Sequence, residues 1–101
     1  GHPHSPPKLL ASYARFAAYQ LNDPPLAERM YREVLEFEPS YTGVRTELIV
    51  HLIRQGHLES AQSELETLRR HDRFGMIEET IQALERAVES AGSAGAASFM
   101  P

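Results

Sequence analysis

The run Gly56-His57-Leu58-Glu59-Ser60-Ala61, followed by Leu65 and Leu68, decides how this chain reads. A counterpart stands 34 residues upstream. Asn22 answers Gly56, Ala27 answers Ala61, Tyr31 answers Leu65 and Val34 answers Leu68; before the turn, Ala18 answers Leu52. A period of that length is one pair of helices, which buries its apolar face on the next pair. The paired positions have steric reasons. A small Ala27 or Ala61 lets the two helices of one hairpin approach closely. Asn22 and Gly56 both tolerate the backbone turn between them.

Working outward, the spacing gives five helices. The first runs from Leu9 to about Leu21, with Leu10, Ala14, Ala17 and Leu21 at helical spacing. Ser5 is its cap, with Pro6 in the first turn, where a missing N–H costs nothing. Asn22-Asp23-Pro24-Pro25 ends it and opens the second helix, whose stripe is Leu26, Ala27, Met30, Tyr31, Val34 and Leu35. That helix stops before Pro39, because the residue preceding a proline disfavours helical geometry. The third, about Gly43 to Gln55, carries Val44, Leu48, Ile49, Leu52 and Ile53 and ends at Gly56. The fourth, about Leu58 to Arg70, carries Leu58, Ala61, Leu65 and Leu68. Glu59 at its start and Arg69, Arg70 and His71 at its end suit the helix dipole. After a break from Asp72 to Gly75, a fifth helix carries Ile77, Ile81, Leu84, Val88 and Ala91. No stretch alternates as a half-buried strand does.

Composition narrows the function. The chain has 101 residues, which is one small domain. A chain this short buries only about 60–70% of the surface it exposes unfolded, so a deep catalytic cavity is not expected. The absence of Cys removes disulfide frameworks, thiolate zinc sites and Cys nucleophiles, and leaves the compartment open between cytoplasm and periplasm. Fourteen acidic against ten basic residues argue against nucleic acid as the ligand, since phosphate needs a basic face. No apolar run approaches the ~20 residues that span a bilayer. Nine Arg against one Lys is a bias associated with GC-rich bacterial genomes. Gly1-His2 reads as the remnant of a cleaved tag, so the natural N-terminus and any targeting signal are expected to be missing, and two repeats with a cap are expected to be cut from something longer.

With the repeat in view, the chain resembles the tetratricopeptide repeat family. That pattern has a small residue at the inter-helix turn, Ala five residues on, a large apolar or aromatic residue four further, and Pro after the second helix. Repeat one matches through Ala27, Tyr31 and Pro39; repeat two matches through Leu48, Leu52, Gly56, Ala61, Leu65 and Leu68. Ala11, Ala14 and Arg15 depart from the family's Trp, Leu and Gly, and Arg73 stands where Pro is usual. The resemblance implies an all-α, right-handed superhelical stack of antiparallel hairpins. The expected organisation is a tag remnant over residues 1–7, repeats over 8–41 and 42–75, a capping helix over 76–91 and a flexible tail over 92–101. Tyr13-Ala14-Arg15-Phe16 with Ala27, Tyr31 and Pro39 is also similar to half-a-tetratricopeptide repeats of RNA-processing scaffolds. Val44-Arg45, Glu47-Leu48 and Gly56 are similar to repeat segments preceding bacterial outer-membrane barrels of export and assembly proteins.

No enzyme constellation is present. His2 and His4 form an H-x-H pair without a third ligand, and His51, His57 and His71 lack the i, i+4 spacing of a two-His metal helix. No metal or cofactor is expected. Arg29–Glu33 and Arg32–Glu36 fall at i, i+4 and read as an ion-paired, solvated face. The isolated glycines form neither a phosphate loop nor a nucleophile elbow. Glu47 and His51 are the pair whose joint burial would reopen a catalytic reading.

The resemblance implies a function instead: a non-catalytic module that binds a peptide or partner helix in a groove lined by the first helix of each pair. By alignment those positions are Leu9, Ser12, Phe16, Tyr19 and Gln20, then Thr46, Val50, Ile53 and Arg54. An aromatic–aliphatic floor with one cation suits a peptide with apolar anchors. The competing reading is that Leu9, Phe16 and Ile53 pack on neighbouring repeats. Leu9, Tyr13 and Phe16 exceed what the first hairpin needs, so the face calls for a cover: an upstream repeat, a second copy in a homo-oligomer, or a ligand.

Overall fold

Asp23-Pro24-Pro25 shows how local sequence starts an element here. The Asp23 side chain accepts a hydrogen bond from the Leu26 backbone N–H at 3.3 Å. Pro24 holds the first helical position with its φ already set. In the computed structural model, which describes residues 6–97, five helices follow one another and no strand occurs among the described residues. They are α1 (Pro6–Tyr19), α2 (Pro24–Phe37), α3 (Thr42–Arg54), α4 (Leu58–His71) and α5 (Glu78–Ala97).

The boundaries differ from the expected ones at the two ends. α1 begins at Pro6 rather than Leu9, with Pro6 in its first turn as the sequence placed it, and Pro7 joins it there. Leu21 lies beyond the end of α1 and is half exposed, so it does not join the buried stripe. The Ser5 cap and residues 1–5 lie outside the described residues. α5 starts late because Asp72 holds the turn before it: its carboxylate accepts from Met76 N–H at 2.8 Å and Ile77 N–H at 3.1 Å. The helix then runs to Ala97, past the expected boundary at 91, since four alanines there outweigh Gly92 and Gly95.

Consecutive helices pack on one another, and α5 also packs on α3. One continuous core joins them. α1 contributes Ala11, Ala14 and Ala17 as fully buried residues, with Leu10 and Ala18 partly buried against them; α2 contributes Ala27, Tyr31, Val34 and Leu35. From α3 come Val44, Leu48, Ile49 and Leu52, from α4 Ala61, Leu65 and Leu68, and from α5 Ile81 and Leu84. Each large aliphatic side chain fully buried this way contributes roughly 1.5–3 kcal/mol. Ala27 and Ala61, the paired small positions, are both at 0% exposure, so the hairpins close where the repeat required it. The turns match as well. Asn22 has φ 50° and Gly56 φ 77°, so both members of the pair adopt the left-handed backbone. His57 N–H closes the second turn onto the Leu52 carbonyl at 2.9 Å.

Candidate functional site

The first helices of the two hairpins meet along a polar seam. Arg15 on α1 sets its fork against Glu47 on α3: Nε donates to Oε1 at 2.7 Å and Nη2 to Oε2 at 2.8 Å. The hydrogen bond to Glu47 raises the Arg15 pKa above its ordinary value. Two turns further along, the Arg54 guanidinium lies 5.5 Å from the centre of the Tyr19 ring. Beneath the seam lies the phenol of Tyr31, 1% exposed as a residue. Burial pushes its pKa up to about 12; Glu47 and Tyr19 add to the shift, and Arg15 and Arg54 oppose it.

Of the groove positions read from the sequence, the seam brings Tyr19 and Arg54 together. Val50 and Ile53 are half-buried and pack on the core. Thr46 is half-buried too, and its hydroxyl donates to the Thr42 carbonyl one turn back at 2.9 Å. Ser12 and Gln20 are exposed. Leu9 and Phe16 are exposed at 55% and 49%, on one helical stripe with Tyr13. Arg15 and Glu47 were absent from the expected set. A signal for them existed: opposite charges 32 residues apart, close to the repeat period, on corresponding helices.

A second network ties the backs of the helices. Glu64 on α4 accepts from Arg45 on α3 and from Arg32 on α2, the latter at 3.1 Å. Arg45, 8% exposed, also donates to the Pro39 carbonyl at 2.9 Å. Arg32 donates back to Glu28 at 3.0 Å rather than forward to Glu36 as the spacing suggested. An acid four residues before the base is the better helical order, and Glu64 supplies a further partner across the hairpins.

Of the described histidines, His57 and His71 are exposed and His51 has structural surroundings. His51 is buried, with Nε2 3.1 Å from the Pro24 carbonyl and its ring 6.0 Å from that of Tyr31. Nε2 therefore carries the proton in this contact. Glu47, engaged by Arg15, does not share a partner with it. Among the described residues no group of three His, Cys, Asp or Glu is placed to hold a metal; His2 and His4 lie outside them. The acidic start of α5 faces solvent, with Arg69 bound to Glu78 at 3.2 Å and Glu85 at 2.8 Å. No described helix is long and apolar enough to cross a membrane.

Antiparallel hairpins at a 34-residue period, with matched alanines and matched left-handed turns, define a helical-repeat protein. The model of the tetratricopeptide repeat matches residues 18–74, more than half of the 101, and the chain belongs to that family. The match begins two residues before the end of α1, downstream of the positions where Ala11, Ala14 and Arg15 depart from the family pattern. No curated protein and no solved structure matches the chain significantly. Tetratricopeptide repeats are protein–protein interaction modules, typically non-catalytic scaffolds.

Proposed function

We propose that this chain is a non-catalytic module of a bacterial protein assembly, and that it holds a peptide or a partner helix across the α1–α3 face. One observation carries this reading: Tyr19 and Arg54, contributed by the first helices of successive hairpins, stack on each other while both stay exposed. Around them, Ser12, Phe16, Gln20 and Thr46 supply an aromatic edge and hydrogen-bonding groups, and Val50 and Ile53 an apolar floor; Leu9 marks the outer margin. An exposed guanidinium on an aromatic ring accepts a carboxylate without burying an unpaired charge. The ligand is therefore an amphipathic peptide with apolar residues on one face and at least one acid. The overall charge of −4 disfavours nucleic acid in the same place. The excess of Arg over Lys supports the bacterial setting.

The test is fluorescence polarisation with a panel of labelled helical peptides bearing apolar residues at i, i+4 and i+7 and one Asp or Glu. Some of the panel binds, and Tyr19→Ala and Arg54→Ala each weaken that binding at least about tenfold. Phe74→Ala, in the distant α4–α5 loop, leaves it unchanged. Binding that ignores both groove substitutions, or a panel with no binder, overturns the proposal.

A further inference from the structure

A cleft stands where the start of α2, the end of α3 and the turn into α4 come together. Pro24, Pro25 and Glu28 line it from α2, His51 from α3, and Gln55 and His57 from the turn. None of these is a groove position. The cleft has a volume of about 330 Å³. At the roughly 30 Å³ that one water takes up, this is room for about ten non-hydrogen atoms. One long side chain fits; a nucleotide cofactor does not. Pro25, Gln55 and His57 are exposed at its rim, so the backbone bearing such a side chain stays outside.

His51 is the buried part of the lining, at 7% exposure. Its Nε2 is committed to the Pro24 carbonyl, which leaves the lone pair of the neutral ring on Nδ1. Among the described residues Nδ1 has no hydrogen-bond partner, yet no sealed side-chain nitrogen or oxygen lacks one. Nδ1 therefore reaches open space, and the open space His51 borders is this cleft. Glu28 adds a second acceptor. Arg32 holds its Oε2 at 3.0 Å, which fixes the carboxylate. Oε1 lies 3.8 Å from His57 Nδ1, beyond hydrogen-bond distance, and is left to accept.

Donors, in contrast, are scarce. Pro24 and Pro25 have no N–H. The next two amides of α2 are taken, Leu26 N–H by the Asp23 carboxylate and Ala27 N–H by the Asp23 carbonyl. The start of α2 thus offers an anion nothing to bind, while the end of α3 brings the negative pole of its dipole. Among the described residues no Lys or Arg lines the cleft, whereas the two clefts that Arg32 borders both carry arginine. Two acceptors, one of them anionic, beside proline rings select a flat cation with N–H groups on more than one edge. Guanidinium is planar, rich in donors and weakly hydrated; an ammonium is compact and holds its water more strongly.

We propose that this cleft is a second partner site, separate from the α1–α3 groove, and that it receives an arginine side chain of a partner protein. The guanidinium donates to His51 Nδ1 and to Glu28 Oε1, and the aliphatic stem lies on the Pro24 and Pro25 rings.

The experiment is an NMR titration of ¹⁵N-labelled protein with an alanine pentapeptide bearing arginine at its centre, and with the same peptide bearing citrulline, lysine or glutamate there. The arginine peptide moves the His51 Nδ1 resonance and the Glu28 and Gln55 amides along one saturable curve. Citrulline keeps the shape without the charge and binds at least about tenfold more weakly, and Glu28→Gln loses as much against the arginine peptide. Glu28 is 28% exposed in its side chain and glutamine copies its shape, so the remaining amide spectrum stays that of the wild type. Tyr19→Ala leaves this titration unchanged, which separates the cleft from the groove. No saturable shift at His51 with the arginine peptide overturns the proposal. So does citrulline, lysine or glutamate binding as well as arginine, or binding that Glu28→Gln leaves intact.

Discussion

Replacing Glu64 by Ala separates the structural ion pairs of this molecule from the superficial ones. Glu64 is 15% exposed in its side chain and joins three helices through Arg45, 9% exposed, and Arg32, 40% exposed. The Arg32 contact contributes little by itself, about 0.5 kcal/mol, because it is solvated and Glu28 remains as a partner. Arg45 is the expensive one. Removing one member of a buried pair costs about 3–5 kcal/mol, since the other charge is left uncompensated. Arg45 keeps the Pro39 carbonyl, and its slight exposure admits water, which lowers the figure. We expect a loss of roughly 2–3 kcal/mol. For a domain of this size, that lowers the thermal midpoint by about 10–20 °C. Glu47→Ala is the control: it breaks a pair whose side chains are 45% and 33% exposed, for about 0.5–1 kcal/mol. Thermal and urea unfolding followed at 222 nm measure both variants. The double substitution Arg45→Met with Glu64→Leu removes both charges and recovers most of the loss. If Glu64→Ala costs less than about 1 kcal/mol, or no more than Glu47→Ala, the assignment of Arg45 as a buried charge dependent on Glu64 is wrong.

Two further outcomes follow from the turns and from Tyr31. Gly56→Val, at φ 77°, loses about 1–2 kcal/mol although nothing lies within 4 Å of the added Cβ, whereas Gly56→Asn, which copies Asn22, costs clearly less; urea midpoints compare them. The folded-state pKa of Tyr31 is raised, from about 10 in the unfolded chain to about 12. The unfolded chain therefore gives up this proton first as pH rises. The stabilisation is complete below about pH 10 and is lost between there and about 12. Tyr31→Phe flattens that fall in the unfolding midpoint, and an unaltered slope would show that another group causes it.

Much of the fold was legible because the signals were redundant. Ala27 with Ala61 and Asn22 with Gly56 each state the same hairpin twice, and all four behave as paired positions in the structure. Where only one signal existed, the reading slipped. Leu21 keeps helical spacing with Ala17, but the Asn22 turn takes it out of α1. The end of α5 was hidden by Gly92 and Gly95, whose cost is outweighed by the alanines around them. The sequence offered groove positions as a list, without the contacts between them. The Tyr19–Arg54 stack depends on how far α3 slides along α1, and the Arg15–Glu47 fork reflects that offset. Likewise, the choice of Glu64 over Glu36 as a partner for Arg32 belongs to the neighbouring hairpin, which spacing within α2 does not report.

The alanine face of α1 has one more consequence. Ala11, Ala14 and Ala17 let α1 lie close on α2, but each brings a single methyl group to the core, where α3 brings whole leucines and isoleucines. Burying less apolar surface in its fully buried positions than α3 does, α1 is expected to open ahead of α3 in local fluctuations. Its amide protons exchange ahead of those of α3. Of the surfaces proposed for a partner, the groove beside Tyr19 is carried in part on this helix. A partner that docks there stiffens α1, so the exchange rate of its amide protons is a gauge of occupancy.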